Sequence, residues 1–520
     1  MSPTITLALL LGYFAILMAV SLGQKEKTGG NESFFRGTRR SPWPVVAIGM
    51  VGASLSGVTF VSVPGMVRGN DMLYMQTVMG FFVGYILIAE ILLPVYFKLD
   101  SPSIYTYLSR RLGPRSYKTG AAFFLISKTI GAAARLYVVV IILQYFILDQ
   151  WNVPFVATAA AILLMIWLYT RHTGIKTIVW TDLFQTICLL GAMTLLIVEA
   201  CRSLGLGLAD ACSTLAGDSH FRWFEFSDWS SKQHFVKQFF SGIFIALVMT
   251  GLDQDMMQKN LSINSLRDAK RNIYTYGFAF LPVNFLFMCL GILLLVFASR
   301  NGIALPEAGD DILPMLATGG HLGKTACLLF VVGIVSASFS SADSALTALT
   351  TSFCVDLMGR PEDLKLRRRA HVAVTLLILA IMLALKAFNN SSLLDAIYVI
   401  ASYTYGPLLG MFAFGLTTRR PVDDRLTPFI AVASPLVCAA IQAASTRWLH
   451  YSFGYELLML NGLLTYLALW LGGSKRRVSR SSQTIRPATT KKRSGPQAAQ
   501  RMESLSHECS VQHIRTSSET

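Results

Sequence analysis

The sequence predicts an all-α membrane protein with about thirteen transmembrane helices. Hydrophobic residues make up 53% of the 520 residues and charged residues only 14%, whereas a soluble globular protein carries about 25% charged residues. The apolar residues also come in long blocks, such as FLPVNFLFMCLGILLLVFA and VAVTLLILAIMLAL. Each of these blocks approaches the ~20 residues that cross a bilayer. Both observations indicate a polytopic membrane protein.

The apolar blocks define thirteen predicted spans. The first block, ITLALLLGYFAILMAVSL, lacks a preceding basic region and a small-residue cleavage site, so we expect it to be retained as a span. The predicted limits are 3–22, 43–67, 73–96, 120–148, 153–170, 176–200, 236–258, 273–298, 323–355, 369–387, 392–416, 427–446 and 453–472. We therefore expect a transmembrane domain over 1–474 and a disordered basic tail over 475–520.

The charge pattern predicts the orientation of the chain. The net charge is +16, but Lys and Arg cluster in alternate short loops, such as TRHTGIK and KNLSINSLRDAKRN, and in the tail. This is the positive-inside pattern of a membrane protein and not a nucleic-acid footprint. An odd number of spans with the basic loops inside places the N-terminus outside and the C-terminus in the cytoplasm. We expect a multi-pass protein of the plasma (inner) membrane, in contact with lipid and without a nucleic-acid partner.

The motif content argues against an enzyme. The eight cysteines are scattered without a CxxC pair, and HExxH, GxSxG and Walker motifs are absent from the sequence. Only about 45 polar residues follow the last span, too few for a fused catalytic or sensor domain. A transporter-like membrane sensor is therefore a weak alternative to a transporter.

Hydroxyl groups interrupt the ninth span in the stretch SASFSSADSAL, residues 336–346. On a helix, Ala337, Ser340, Ser341 and Ser344 share one face. Such a face suits close helix packing. It also suits a hard cation such as sodium, which binds oxygen atoms. The segment alone leaves both interpretations open.

Backbone carbonyls for such an ion could come from the second span, which reads GASLSGVTFVSVPG over 52–65. Glycines and small residues interrupt it, and Pro64 removes a backbone donor. A helix break inside the membrane is tolerated only where it is buried or lines a cavity, and broken helices at mid-membrane are typical of secondary transporters. A proline kink without a ligand is the alternative.

Two further segments carry polar groups inside predicted spans. In HTGIKTIVWTDLFQT, Asp182 and Gln185 lie about one turn within the span, where carboxylates are costly and usually functional. In TGLDQDMMQKNLS, Gly251 is expected to break the span shortly before Asp253 and Asp255.

Together these four segments resemble the sodium/solute symporter family, which includes sodium-coupled proline, sugar, sialate and iodide carriers. The WTD…Q block, the DQ…Q block and the serine-rich span with its CVDLM exit match that family in order and spacing, over roughly residues 5–470. The resemblance implies a LeuT-type fold with two inverted five-helix repeats, about 43–200 and 236–416. One extra helix precedes the repeats and two follow. Helix breaks are expected at SLSGVT and MTGLDQ.

The resemblance also implies the ion ligands. Gly52 and Leu55 would supply carbonyls, Ala337 a third carbonyl, and Ser340 and Ser341 hydroxyls to one sodium ion.

A second sodium, present in some family members, would lie between Asp182, Asp343 and Ser344. The branch with that site has serine where this chain has Asp343. Two carboxylates could hold a second sodium or share a proton.

The expected function is sodium-coupled import of a small polar organic solute by alternating access. A proton-coupled symporter of the same fold is the main alternative, and the protein is expected to be a monomer. A buried arginine suits a substrate carboxylate, which favours an acidic sugar such as a sialate or another organic anion, with a neutral sugar still open. An internal ion pair of Arg135, for example with Glu90, is the competing interpretation. The predicted substrate-binding residues are Thr59, Phe60, Ser62, Gln76, Arg135 and Tyr403, with Tyr405 beside them.

Overall fold

Helices form the whole described architecture. The computed structural model describes residues 3–23, 31–144, 148–171, 174–388 and 393–472, and these ranges contain no β-strand. The predicted tail over 475–520 lies outside the described residues. Long apolar blocks form helices because a helix satisfies its own backbone hydrogen bonds in lipid.

In the described part of the chain the α-helices are α1 (Pro3–Gly23), α2 (Asn31–Arg36), α3 (Trp43–Ser54), α4 (Gly57–Asn70), α5 (Tyr74–Leu87), α6 (Leu93–Leu99), α7 (Thr106–Arg111), α8 (Pro114–Leu143), α9 (Phe155–Thr170), α10 (Ile175–Ser203), α11 (Leu208–Gly217), α12 (Phe235–Ala246), α13 (Gln254–Leu261), α14 (Leu266–Arg300), α15 (Ile312–Thr318), α16 (Gly323–Ser352), α17 (Leu364–Phe388), α18 (Leu393–Thr417), α19 (Thr427–Trp448) and α20 (Leu457–Leu471). π-Helical turns extend three of them, at Ile88–Leu92 after α5, Leu247–Gly251 after α12 and Phe353–Leu357 after α16.

The length and apolarity of these helices support a polytopic membrane protein. Among the described residues, eight helices are long and apolar enough to cross a bilayer, and two bent helix pairs raise that number to ten. Three shorter apolar helices, Leu7–Gly23, Phe155–Thr170 and Leu457–Leu471, coincide with the first, fifth and thirteenth predicted spans. The total of thirteen spans stays a prediction.

Both predicted helix breaks are confirmed. The first separates α3 from α4, whose axes differ by 60°, and the Oγ of Ser56 caps α4 by accepting the Thr59 N–H at 3.4 Å. The second follows the π-helical turn Leu247–Gly251 and bends the chain by 62°. There Asp253 caps α13 by accepting the Asp255 N–H at 2.9 Å. Pro64 does not cause the first break, because α4 continues through it.

The serine-rich helix α16 lies at the centre of the fold. Every side chain from Ser336 to Ser352 is buried, and α16 packs against α10, α8, α4 and α3. The polar stretch therefore faces protein and not lipid. A buried hydroxyl needs an oxygen or nitrogen partner: Ser341 has one on the broken helix, and Ser340 has one on α10.

Glycines allow the first break to approach its neighbours. A Cβ atom on Gly52 would lie 2.0 Å from the Thr186 Oγ1 and 3.0 Å from the Thr186 Cα, so α3 is in close contact with α10. A Cβ on Gly57 would lie 2.3 Å from the Val139 Cγ2 of α8 and 2.7 Å from the Ser338 Oγ of α16. The break is thus held between α8, α10 and α16.

Candidate functional site

A central cavity lies between the two helix breaks. Its walls come from the first break, α5, α8, the second break, α14, α16 and α18. The polar residues on these walls are Ser54, Ser56, Thr59, Tyr85, Ser127, Lys128, Arg135, Thr250, Asp253, Asp255, Tyr276, Ser341, Tyr398 and Tyr405. Of the residues predicted to bind substrate, Thr59 and Arg135 line this cavity. A cavity with a few convergent polar groups is the expected form of a ligand site.

The serine-rich helix meets the first break at one edge of the cavity. The Ser341 hydroxyl lies 3.1 Å from the Ala337 carbonyl oxygen and 3.4 Å from the Ala53 carbonyl oxygen. Ala53 lies between the predicted ligands Gly52 and Leu55, at the end of α3, where the last carbonyls have no partner within the helix. Carbonyl and hydroxyl oxygens from two distant segments are therefore close together, which is the chemistry of a hard-cation site.

The residues predicted for a second sodium also converge. Asp182 of α10 is fully buried; its Oδ1 accepts the Ser340 hydroxyl at 2.6 Å, and the Ser344 Oγ lies 3.5 Å from its Oδ2. Asp343 is also buried, and its Oδ2 accepts the Tyr169 hydroxyl at 2.8 Å. The Asp343 Oδ1 has no hydrogen-bond partner among the described residues. Ser340 thus turns toward Asp182.

A buried lysine that the sequence motifs do not predict completes this cluster. The Lys259 Nζ lies 2.7 Å from the Asp182 Oδ2 and 3.9 Å from the Asp255 Oδ1, and the side chain is only 1% exposed. In the sequence, Lys259 is the first residue of the predicted basic loop KNLSINSLRDAKRN. The available signal was the i, i+4 spacing of Asp255 and Lys259, which places both on one face of α13.

A second buried lysine joins α8 to the second break. The Lys128 Nζ lies 3.0 Å from the Asp253 Oδ2 and 2.8 Å from the Asp255 Oδ2. The Tyr405 hydroxyl of α18 donates to the same Asp253 Oδ2 at 2.8 Å. Each buried charge in this network therefore has an opposite charge beside it, as the low-dielectric interior requires.

Arg135 lies on the cavity wall, and its expected alternative partner is elsewhere. Glu90 pairs with Lys270 at 2.6 Å and accepts a hydrogen bond from the Tyr274 hydroxyl. The competing interpretation of an Arg135–Glu90 ion pair is therefore wrong. None of the ion pairs among the described residues includes Arg135.

Four residues predicted to bind substrate lie away from the cavity wall. Phe60 packs in an aromatic cluster with Phe287 and Phe330. Ser62 is buried one turn further along α4. Tyr403 lies beside α20, where the Asn461 side chain donates to its carbonyl at 3.0 Å. For Phe60 the reason is helical rotation: it directly follows the cavity-lining Thr59, and consecutive side chains on a helix point about 100° apart.

The fourth, Gln76, anchors the loop between α11 and α12. Its amide nitrogen donates to the Gln233 carbonyl at 2.8 Å, and its oxygen accepts the Glu225 N–H at 3.0 Å. Hydrogen bonds from the hydroxyl and the N–H of Ser227 hold the pKa of the Glu225 carboxyl below its usual range. Gln76 therefore orders this loop and does not face the cavity.

Comparison with known proteins agrees with this architecture. The model of the sodium:solute symporter family matches residues 34–423. The sodium/sialic acid symporter SiaT of Proteus mirabilis (strain HI4320) is 25% identical over 484 residues, which cover 89% of this chain and 94% of the relative. The sodium/sialic acid symporter NanT of Aliivibrio fischeri (strain ATCC 700601 / ES114) is 24% identical over 478 residues, covering 89% and 93%.

A solved structure shares the fold. It is the substrate-bound outward-open state of a Na⁺-coupled sialic acid symporter, which superposes with a TM-score of 0.78 at 20% identity. The superposition covers 90% of this chain and 97% of that one.

Proposed function

The chain belongs to the sodium:solute symporter family, a family of transporters and not of enzymes, and we propose that it imports a small polar organic anion. Sodium is the coupling ion, and transport follows alternating access. The contact of the Ser341 hydroxyl with the Ala53 carbonyl at the helix break carries the proposal. It joins the hydroxyl helix to the broken helix, as ion-coupled transport requires.

We assign the transported sodium to the carbonyls of Gly52, Leu55 and Ala337 and the hydroxyls of Ser340 and Ser341. Support comes from the short distance between Ser341 and the end of α3. Sodium moving inward with the membrane potential gains about 2.3 kcal/mol per charge per 100 mV. Because the ligands lie on two separate segments, the ion binds only when the first helix break and α16 are close together. Sodium binding is thereby linked to the conformation of the carrier.

The proposed substrate carries a carboxylate, and Arg135 is its partner. Arg135 lines the cavity beside Thr59, close to the first helix break. A guanidinium binds a carboxylate through two parallel hydrogen bonds. Two relatives and one structural neighbour carry sialic acid, an acidic sugar, so a sialate is the first substrate to test.

The remaining architecture is part of the same proposal. The two bent helix pairs begin the proposed inverted repeats, 43–200 and 236–416. The N-terminus lies outside and the C-terminus inside, following the basic loops. The tail over 475–520 is proposed to be a cytoplasmic extension of a monomeric carrier.

Replacing Ser341 by alanine is expected to weaken sodium-driven uptake. If the lost oxygen ligand resembles a hydrogen bond to a charged group, it is worth about 1.5–3 kcal/mol, or roughly 10- to 150-fold in half-saturating sodium. The measurement is uptake of radiolabelled sialic acid into proteoliposomes across a sodium titration. Ser445→Ala is the matched control, because its hydroxyl bonds the Tyr451 carbonyl at 2.9 Å on α19. An unchanged sodium requirement in the Ser341 variant would contradict the assignment.

Choline replacement separates sodium coupling from proton coupling. With choline in place of sodium, uptake by the wild-type protein is expected to fall to background at every pH between about 5.5 and 8. Uptake that persists in choline and increases as the external medium is acidified would favour the proton-coupled alternative.

Replacing Arg135 by glutamine is expected to raise the KM for an acidic substrate. Loss of a charge-assisted pair costs about 1.5–3 kcal/mol, or roughly 10- to 150-fold. Competition by sialic acid and by its carboxyl methyl ester gives the readout: the variant should lose the preference for the acid. Arg171→Gln, which removes an arginine stacked on Trp167 at the end of α9, is the control. Equal preference for acid over ester in wild type and variant would rule out this role.

A further inference from the structure

We propose that the Lys259 ammonium is a built-in cation in the position predicted for a second sodium, so that the chain binds one sodium ion. The inference rests on the proposed function, because it concerns the number of coupling ions. It departs from the expectation that Asp182, Asp343 and Ser344 hold a sodium of their own.

The geometry of Asp182 carries the first step. Its Oδ2 lies 2.7 Å from the Lys259 Nζ and 3.5 Å from the Ser344 Oγ, and its Oδ1 accepts the Ser340 hydroxyl at 2.6 Å. A separation of 2.7 Å is that of a close ion pair between an ammonium and a carboxylate. The ammonium therefore lies against the same oxygen that, with Ser344, would coordinate the second ion.

The electrostatics carry the second step. Both side chains are 1% exposed, so neither charge is stabilised by water. A sodium ion bound to the same carboxylate would be strongly repelled by the ammonium, because a low-dielectric interior screens like charges poorly. To bind Asp182, the ion would have to displace Lys259 and leave an unpaired ammonium in the interior, which is strongly unfavourable.

Of the neighbouring carboxylates, Asp182 is the closest partner of Lys259. Asp255 lies 3.9 Å from Lys259, while its other oxygen is 2.8 Å from Lys128. Asp253 also pairs with Lys128, and Asp343 accepts the Tyr169 hydroxyl. Lys259 thus neutralises the charge of Asp182 without a bound ion.

The built-in cation leaves the first sodium position open. The Ser341 hydroxyl bonds the Ala53 carbonyl at the end of α3, whereas the Lys259 ammonium lies against Asp182, and Ser340 is the residue common to both clusters. Lys259 belongs to the second broken pair and Asp182 to α10. The Lys259 ammonium therefore holds α13 and α10 together permanently. A second sodium ion would do so only while it is bound.

The test counts bound sodium directly. Purified full-length protein in detergent is titrated with ²²Na⁺ alone, without substrate, for the wild type, Lys259→Met and the double variant Asp182→Asn/Lys259→Met. Size-exclusion elution establishes that each variant is folded. We expect one ion per chain for the wild type and two for Lys259→Met, because an uncompensated Asp182 then recruits sodium. The double variant should return to one.

Two ions bound to the wild type would overturn the inference while leaving the proposed function intact, and this count needs no variant. A folded Lys259→Met protein that still binds one ion would also overturn it, since Lys259 would then be only a structural ion pair. No sodium bound to the wild type would overturn the proposed function itself. Failure of the two proposals is thus distinguishable.

Discussion

Replacing Lys128 by methionine is expected to destabilise the protein strongly. Lys128 neutralises two carboxylates, Asp253 at 3.0 Å and Asp255 at 2.8 Å, with side chains 3% and 6% exposed. Breaking a buried ion pair by removing one partner costs about 3–5 kcal/mol, because the other charge stays buried. The melting temperature of the purified variant, followed by tryptophan fluorescence in detergent, should fall by many degrees.

Lys270→Met is the matched control for this prediction. Lys270 also pairs with a carboxylate, Glu90, at 2.6 Å, but the two side chains are 27% and 49% exposed. Exposed ion pairs contribute little to stability, so the melting temperature should hardly change. Equal shifts for the two variants would show that Lys128 is not a buried counter-charge.

Replacing Gly52 by alanine is expected to weaken sodium binding by moving the first break. The new Cβ atom would lie 3.0 Å from the Thr186 Cα and closer still to its side chain, so α3 must move away from α10. Overpacking of this kind costs about 1–3 kcal/mol, which corresponds to roughly 5- to 150-fold in affinity if the ion site bears the whole cost. ²²Na⁺ binding to the purified variant measures the loss.

Gly191→Ala is the control on the facing helix. A Cβ atom on Gly191 meets no other atom within 4 Å, so sodium binding should stay at the wild-type level. If Gly52→Ala binds sodium as tightly as Gly191→Ala does, the carbonyls at the end of α3 do not belong to the ion site.

The two breaks and the buried serine helix could be predicted because each has a local signal. Gly and Ser residues between Gly52 and Gly57 weaken a helix that apolar neighbours would otherwise continue. The stretch SASFSSADSAL cannot face lipid without leaving its polar groups unpaired. Such constraints act within a few residues, so one sequence is enough to read them.

The charge network could not be predicted, because it depends on which face of each helix points inward. Lys259 lies in a polar segment near a helix end, and a sequence of this composition is equally typical of a solvated loop. Only tertiary packing brings Asp182 of α10 within 2.7 Å of it. Which of the predicted substrate-binding residues face the cavity could not be predicted for a related reason. Thr59 lines the cavity, while Phe60, the next residue, packs in an aromatic cluster.

The Ser340 hydroxyl has one hydrogen and two lone pairs, and its hydrogen is directed to Asp182. A cation held by those lone pairs would polarise the O–H bond and shorten the link to the carboxylate, since consecutive hydrogen bonds strengthen one another. Asp182 in turn forms an ion pair with the Lys259 ammonium on α13. Binding of the ion at the first helix break would thus change the contacts of the second through Ser340, Asp182 and Lys259, without any large backbone movement.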